Sequence, residues 1–256
     1  SALVSDWPLL LALAAGWESV YQLSGFILRK VAPGNEKLGA LGGSYATALL
    51  HSVIVTYRGF LHMATYWHAP EKHRMLLLDG VAPYDEVGRD VEFTSRIFLS
   101  WLLYDIFHVF ALYPKLGKWD TVAHHLAFIA CSVLACSYRM LPFAFCWLIT
   151  GEASTPFLNL RWFLINTGNG DTAAMNITNI TFALSFFAAR VLLYGIGLVD
   201  LLIHREIILS SPQIPLLVSQ SLLVLIVAGY LLNLMWMWNI VNMAMGKGRN
   251  NKKKAS

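Results

Sequence analysis

Residues 118–162 read KWDTVAHHLAFIACSVLACSYRMLPFAFCWLITGEASTPFLNLRW, two apolar stretches with ionisable groups set into them. His124 and His125 open the first stretch, and Glu152, Asn159 and Arg161 sit in the second between runs of Leu, Phe and Trp. Hydrocarbon offers an ionisable group no water, so such groups inside apolar spans are costly and mark candidate functional positions.

The rest of the chain has the same character. Its 256 residues are 57% hydrophobic and 13% charged, with a mean hydropathy of +0.55, whereas soluble domains run near about 45–50% apolar and about 25% charged. The composition predicts an all-α polytopic membrane protein and leaves no polar stretch long enough for a separate water-soluble domain or a nucleic-acid-binding one. Cys131, Cys136 and Cys146 all lie in apolar segments, an odd number at a depth that does not suit a disulfide framework. Residues 7–28 are apolar but contain Glu18 and Gln22 and lack a cleavage site, so they read as a span and not as a signal peptide.

With about 20 apolar residues per crossing, seven spans are expected near 7–28, 40–67, 92–114, 121–138, 140–165, 175–203 and 213–245. The chain then divides into a first helix with its linker (1–39), a transmembrane domain (40–245) and a basic tail (246–256). The charged segment 68–91 reads as a surface loop or a short interfacial helix. Of the Lys and Arg residues outside the spans, ten fall on one side and five on the other. The basic side should be cytosolic, which puts the N-terminus in the lumen and the C-terminus in the cytosol. Lys253 and Lys254 then match a dilysine signal for retrieval to the endoplasmic reticulum, which a receptor reads as an address.

This orientation brings polar groups from several spans to one depth. Asp105 and His108 lie three apart on one helix face. His124 and His125 enter only about 5–6 Å along their helix axis, with Asp120 one turn before His124 as a carboxylate that could fix its tautomer. Glu152 reaches mid-depth, while Asn159 and Arg161 approach the cytosolic end. His51 falls in the cytosolic half of the second span, seven residues before Arg58. Arg58, Arg161 and Arg190 are the available counter-ions for the buried acids. Trp236, Trp238, Asn233, Asn239 and Asn242 read as packing and interfacial residues, and the sequons at Asn176 and Asn179 lie at a cytosolic helix end where glycosylation is not expected.

Other chemistries lack their patterns. Di-iron oxygenases need several close histidine clusters, and only one adjacent pair is present. His51, Asp105, His108, His124 and His125 could supply zinc ligands, but there is no HExxH spacing, and no metal is expected. GxSxG, Walker and GxGxxG motifs are absent. A histidine acting as base or nucleophile remains the simplest catalytic use of the pair.

Together, His51-Ser52, Tyr104-Asp105, Lys118 with His124-His125, the block Glu152–Trp162 and Asn233–Met237 resemble the TLC-domain family. That family is named for translocation-associated membrane proteins, Lag-type ceramide synthases and the neuronal ceroid lipofuscinosis membrane protein. The resemblance covers roughly residues 40–245, and the Glu152–Trp162 block is most like the small TLC-domain-containing branch. It implies helices around a lipid-accessible cavity and, as in ceramide synthases, acyl transfer from acyl-CoA centred on the paired histidines, with His124, His125, Asp105 and Glu152 as the catalytic set. His51, His108, Asp120, Asn159 and Arg161 would contact substrate. Acyl-CoA would be a co-substrate and not a resident cofactor. The chain departs from the ceramide-synthase pattern where a His-Asp-x-x-Asp run is replaced by Gly151-Glu152-Ala153-Ser154-Thr155, and it lacks a homeobox-like region. Two expectations follow: an acyl-CoA-dependent lipid acyltransferase, or a non-catalytic protein that binds a membrane lipid or acyl chain and senses or regulates lipid composition. A second copy of the chain is an admissible partner.

Overall fold

The protein is a bundle of helices, seen in a computed structural model that describes residues 6–245. Lys253 and Lys254 lie outside the described residues. Helix α1 (Trp7–Val31) carries Pro8 in its first turn, where a missing N–H costs little, and ends on Arg29 and Lys30, which suit a helix C-terminus. Asn35 then caps α2 (Glu36–Tyr66) by accepting the Leu38 N–H at 3.0 Å. Gly43 lets α1 and α2 touch, since a Cβ there would lie 2.8 Å from the Tyr21 carbonyl oxygen. Close approach through small residues is how helices hold together in lipid, where apolar burial gives no preference for a neighbour.

The segment expected as a loop at 68–91 is partly helical. A short α3 (Glu71–Met75) is followed by α4 (Tyr84–Ala111), which starts eight residues before the expected span. Asp85 and Glu86 fall in its first turn, where acids complement the helix dipole. Arg89 bonds Asp85 one turn back, and Asp90 pairs with Arg58 of α2. Arg58 is therefore not a counter-ion for the deeper acids.

Helix α5 (Trp119–Ser137) turns into α6 (Pro142–Thr150) through Arg139 and Leu141, both in the left-handed region at φ 49° and 60°. The strap of residues 76–83 holds this turn. Leu77 N–H donates to the Arg139 carbonyl (2.9 Å), Leu141 N–H donates to the Met75 carbonyl (2.7 Å), and the Arg139 guanidinium forks onto Asp79. The hydrogen bonds and charge of Arg139 hold the Asp79 carboxyl below the usual carboxylate range.

The fifth expected span is broken. A 3₁₀ turn (Gly151–Ser154) separates α6 from α7 (Thr155–Asn166). Pro156 has no N–H to give the Glu152 carbonyl, which instead accepts from Thr155 three residues on. The sixth is continuous but contains a π-helical stretch (Phe187–Leu193) between α8 (Ala173–Phe186) and α9 (Tyr194–Ile203). Short α10 (Glu206–Leu209) precedes α11 (Leu216–Ala244). Helices α9 and α11 interlock reciprocally. The Tyr194 hydroxyl donates to the Ile226 carbonyl (2.7 Å) over Gly229, and the Tyr230 hydroxyl donates to the Val191 carbonyl (3.4 Å) over Gly195.

Among the described residues, four helices are long and apolar enough to cross a membrane: Glu36–Tyr66, Trp119–Ser137, the composite Ala173–Ile203 and Leu216–Ala244. The chain is an all-helical, multi-pass membrane protein. At the end formed by residues 66–84, 137–142 and 203–216, its interior is packed solid around Tyr66, Met75, Trp147, Leu201 and Ile208. At the other end, where 111–119 and 166–173 connect the helices, the bundle is hollow.

Candidate functional site

The hollow is a cavity of about 670 Å³ reaching from mid-depth to the 111–119 end. Helix α2 contributes Ala48 and His51; α4 contributes Phe98, Trp101 and Asp105; α5 contributes Thr121, His124 and His125. The broken fifth segment adds Glu152, Thr155 and Arg161. Asn179 and Arg190 come from the sixth, and Trp236 and Asn239 from α11. A largely apolar wall with a few converging polar groups, at this size, is the usual form of a small-molecule site.

The two histidines are held differently. Nδ1 of His125 lies 2.9 Å from the Thr121 carbonyl, which can only accept, so Nδ1 carries a proton. Nε2 lies 2.8 Å from Asp105 Oδ2, and a second proton sits between those two atoms. Both nitrogens of His125 are therefore occupied, and the His125–Asp105 pair is neutral as a unit whichever partner holds that proton. His124 packs its ring against Phe128 (4.6 Å) and Trp236 (5.4 Å), and among the described residues its nitrogens make no hydrogen bond. His51 is 2% exposed and stacks on Trp101 at 4.5 Å, with Nε2 unpartnered.

Glu152 is met by Arg190, whose Nη2 donates to Oε1 at 2.9 Å while Nε donates to Ser154 Oγ at 3.2 Å. Thr155 Oγ1 donates to the other carboxylate oxygen at 2.6 Å. The π-helical stretch carries Arg190, and such wide turns concentrate at functional sites. Arg161 donates from Nε to Asn179 Oδ1 at 2.9 Å and has no acidic partner among the described residues.

Three residues expected at the site stand elsewhere. His108 turns to α1, where Nε2 meets Glu18 at 3.1 Å beside Tyr21, while Asp105, three residues earlier on α4, is taken by His125 of α5. The five-residue donor set that might have taken zinc is thus not assembled. Asp120 is exposed in the first turn of α5 and does not orient His124; the carboxylate partner comes from α4 and binds His125. Asn159 is buried outside the cavity wall with its amide nitrogen unpartnered. Conversely, Trp236 and Asn239 line the cavity instead of serving only as packing and interface, and Asn179 holds Arg161. The i, i+3 spacing of Trp236 and Asn239 was the available signal for that shared face.

A second chamber of about 220 Å³ lies beyond His124, between α5 and α11. Apart from the ring of His124 and the Tyr194 side chain it is walled by apolar groups, among them Ala127, Cys131, Ala228, Gly229 and Leu232. His124 borders both spaces.

Helices around a His-lined, largely apolar cavity define a multi-pass membrane protein with a candidate small-molecule site. A family model described as the TLC domain matches residues 44–242, and the chain belongs to that family. It is similar to TLC domain-containing protein 4-B of Xenopus laevis (27% identical over 121 residues) and of Danio rerio (28% over 121 residues), the match covering 46% of each chain. The chain thus spans about half the length of these curated relatives. No solved structure matches it.

Proposed function

We propose that this protein handles membrane lipid through the His-lined cavity, as an acyl-CoA-dependent lipid acyltransferase. The observation that carries this reading is the placement of His124, whose ring nitrogens make no hydrogen bond among the described residues, on the border of both the main cavity with its converging polar groups and the smaller apolar chamber. An acyl chain would lie in the apolar chamber, gaining about 0.8 kcal/mol per buried CH₂, with its carbonyl carbon at His124. His124 would take the acceptor's proton or form an acyl adduct, with the CoA thiolate as leaving group. His125 is a positioning residue, since both its nitrogens are engaged. In this reading seven segments cross the bilayer, the 111–119 end faces the cytosol, and Lys115 and Lys118 there attract the CoA phosphates. The placement in the endoplasmic reticulum expected from Lys253 and Lys254 belongs to the same proposal.

One observation favours the alternative of a carrier or sensor of lipid composition: Glu152 is already neutralised by Arg190, which removes it as a free acid or base. The test is incubation of purified protein with labelled acyl-CoA and a panel of amine and alcohol lipids. His124→Ala should lose turnover by about 100-fold or more while still binding lipid, and His125→Ala should lose less. Tightly bound lipid without turnover or adduct across the panel establishes the carrier; a protein that binds no lipid contradicts both.

A further inference from the structure

We infer that the amphiphile taken by this cavity carries a negatively charged headgroup, a carboxylate or a phosphate, held by Arg161, and that cationic long-chain amines are excluded. The inference rests on the lipid reading above and adds the charge of the ligand.

Among the described residues the cavity wall contains two acids, Asp105 and Glu152, and both are already matched. Asp105 shares its proton with His125, and the pair is neutral in either arrangement. Glu152 faces Arg190. Arg161 is left over, and a guanidinium stays charged at any accessible pH. His51 and His124 can only add positive charge. The wall therefore carries at least one uncompensated positive charge, and an ammonium headgroup entering it would find no free carboxylate.

Geometry points the same way. The bond from Nε to Asn179 fixes the guanidinium and leaves its two terminal nitrogens without acceptors among the described residues. Two forked N–H donors fit a carboxylate or phosphate edge, and charge-assisted pairs of this kind are the strong ones. Arg161, bonded to Asn179, lines the same cavity as His124, and His124 also borders the apolar chamber. In the lipid reading above, the chain of an anion held by Arg161 extends towards that chamber.

The test is displacement of labelled oleyl alcohol, an uncharged reference of the same chain, from the full chain in neutral detergent. The competitors are oleate, oleoyl lysophosphatidate, oleylamine and sphinganine, at about pH 8.5, where a carboxylate is ionised and an alkylamine still protonated. The two anions should bind about tenfold or more tighter than oleyl alcohol, as a charged hydrogen bond implies, and the two amines weaker than it. Preference for oleate over the lysophosphatidate, or the reverse, identifies the source of the anion. Arg161→Gln should erase the anion advantage, so that oleate and the lysophosphatidate bind no tighter than oleyl alcohol measured in the same variant, while Arg161→Lys should keep part of the advantage. Amines binding as tightly as anions, or an anion advantage that survives in Arg161→Gln, overturns the inference while leaving the lipid reading intact. Failure of oleyl alcohol itself to bind overturns both.

Discussion

Arg190 and Glu152 show how a charged pair is kept inside an apolar bundle. Each has hydrogen-bonding company, from Ser154 and Thr155, so neither group faces hydrocarbon alone. Breaking such a pair strands the survivor. Arg190→Met should cost about 3 kcal/mol, the lower end for a buried pair because both side chains keep some exposure. The double variant Arg190→Met/Glu152→Met should recover most of that loss, read as thermal unfolding in detergent. Equal destabilisation in single and double variants would show that packing, not charge, is at stake. That an acid at 152 needs an arginine could be reasoned from cost alone, and Arg190 was one of three candidates. Which one answers depends on the π-helical stretch, and its wider register leaves no mark in hydropathy. The histidine pair was legible for the same reason of cost. Its division of labour was not, because Asp120 is near His124 only in sequence, whereas Asp105 reaches His125 through the packing of α4 on α5.

At the scale of elements, hydropathy located every long helix and misjudged where they start and break. The first two turns of α4 are too charged to read as a span, yet they are helical because Arg58 and Arg89 answer Asp90 and Asp85. The interlock of α9 and α11 yields a sharp test. Gly229→Ala puts a Cβ 2.8 Å from the Tyr194 hydroxyl, which its bond to Ile226 prevents from moving freely. It should cost about 1–3 kcal/mol, the range for overpacking. In the Tyr194→Phe background the next atom is 3.8 Å away, so the same change should cost almost nothing. Additive losses in a double-mutant cycle would refute the interlock. The strap is tested by acid. Arg139 depresses the Asp79 carboxyl, so the stabilisation it brings is present above the ordinary value of 3.8 and is lost as pH falls through the lowered value. Hydrogen-exchange protection across residues 76–83, taken relative to the intrinsic rate at each pH, should therefore fall in that acid range, and in Asp79→Asn it should be low already at neutral pH. A profile unchanged by the substitution would remove the ion pair from the account.

For the molecule as a whole, the solid end and the hollow end divide the work. Packing around Trp147 and Ile208 gives the bundle its rigidity, and this frees the other end to keep polar groups around an open chamber. Composition alone made the membrane class legible, because few chains this apolar could stay in water. The cavity could be anticipated from the convergence of polar residues at one depth, but its second, apolar chamber could not. The space is left by Ala127, Cys131, Ala228 and Gly229 in its wall, residues that carry no signal beyond being small. The central claim, that an acyl chain passes His124 into this chamber, is tested most directly by photo-crosslinking a fatty acid with a diazirine at its methyl end and mapping the adducts by mass spectrometry. The account predicts adducts on chamber residues such as Ala127, Cys131 and Leu232. Adducts confined to outward-facing side chains such as Phe107 and Leu217, 70% and 74% exposed, would contradict it.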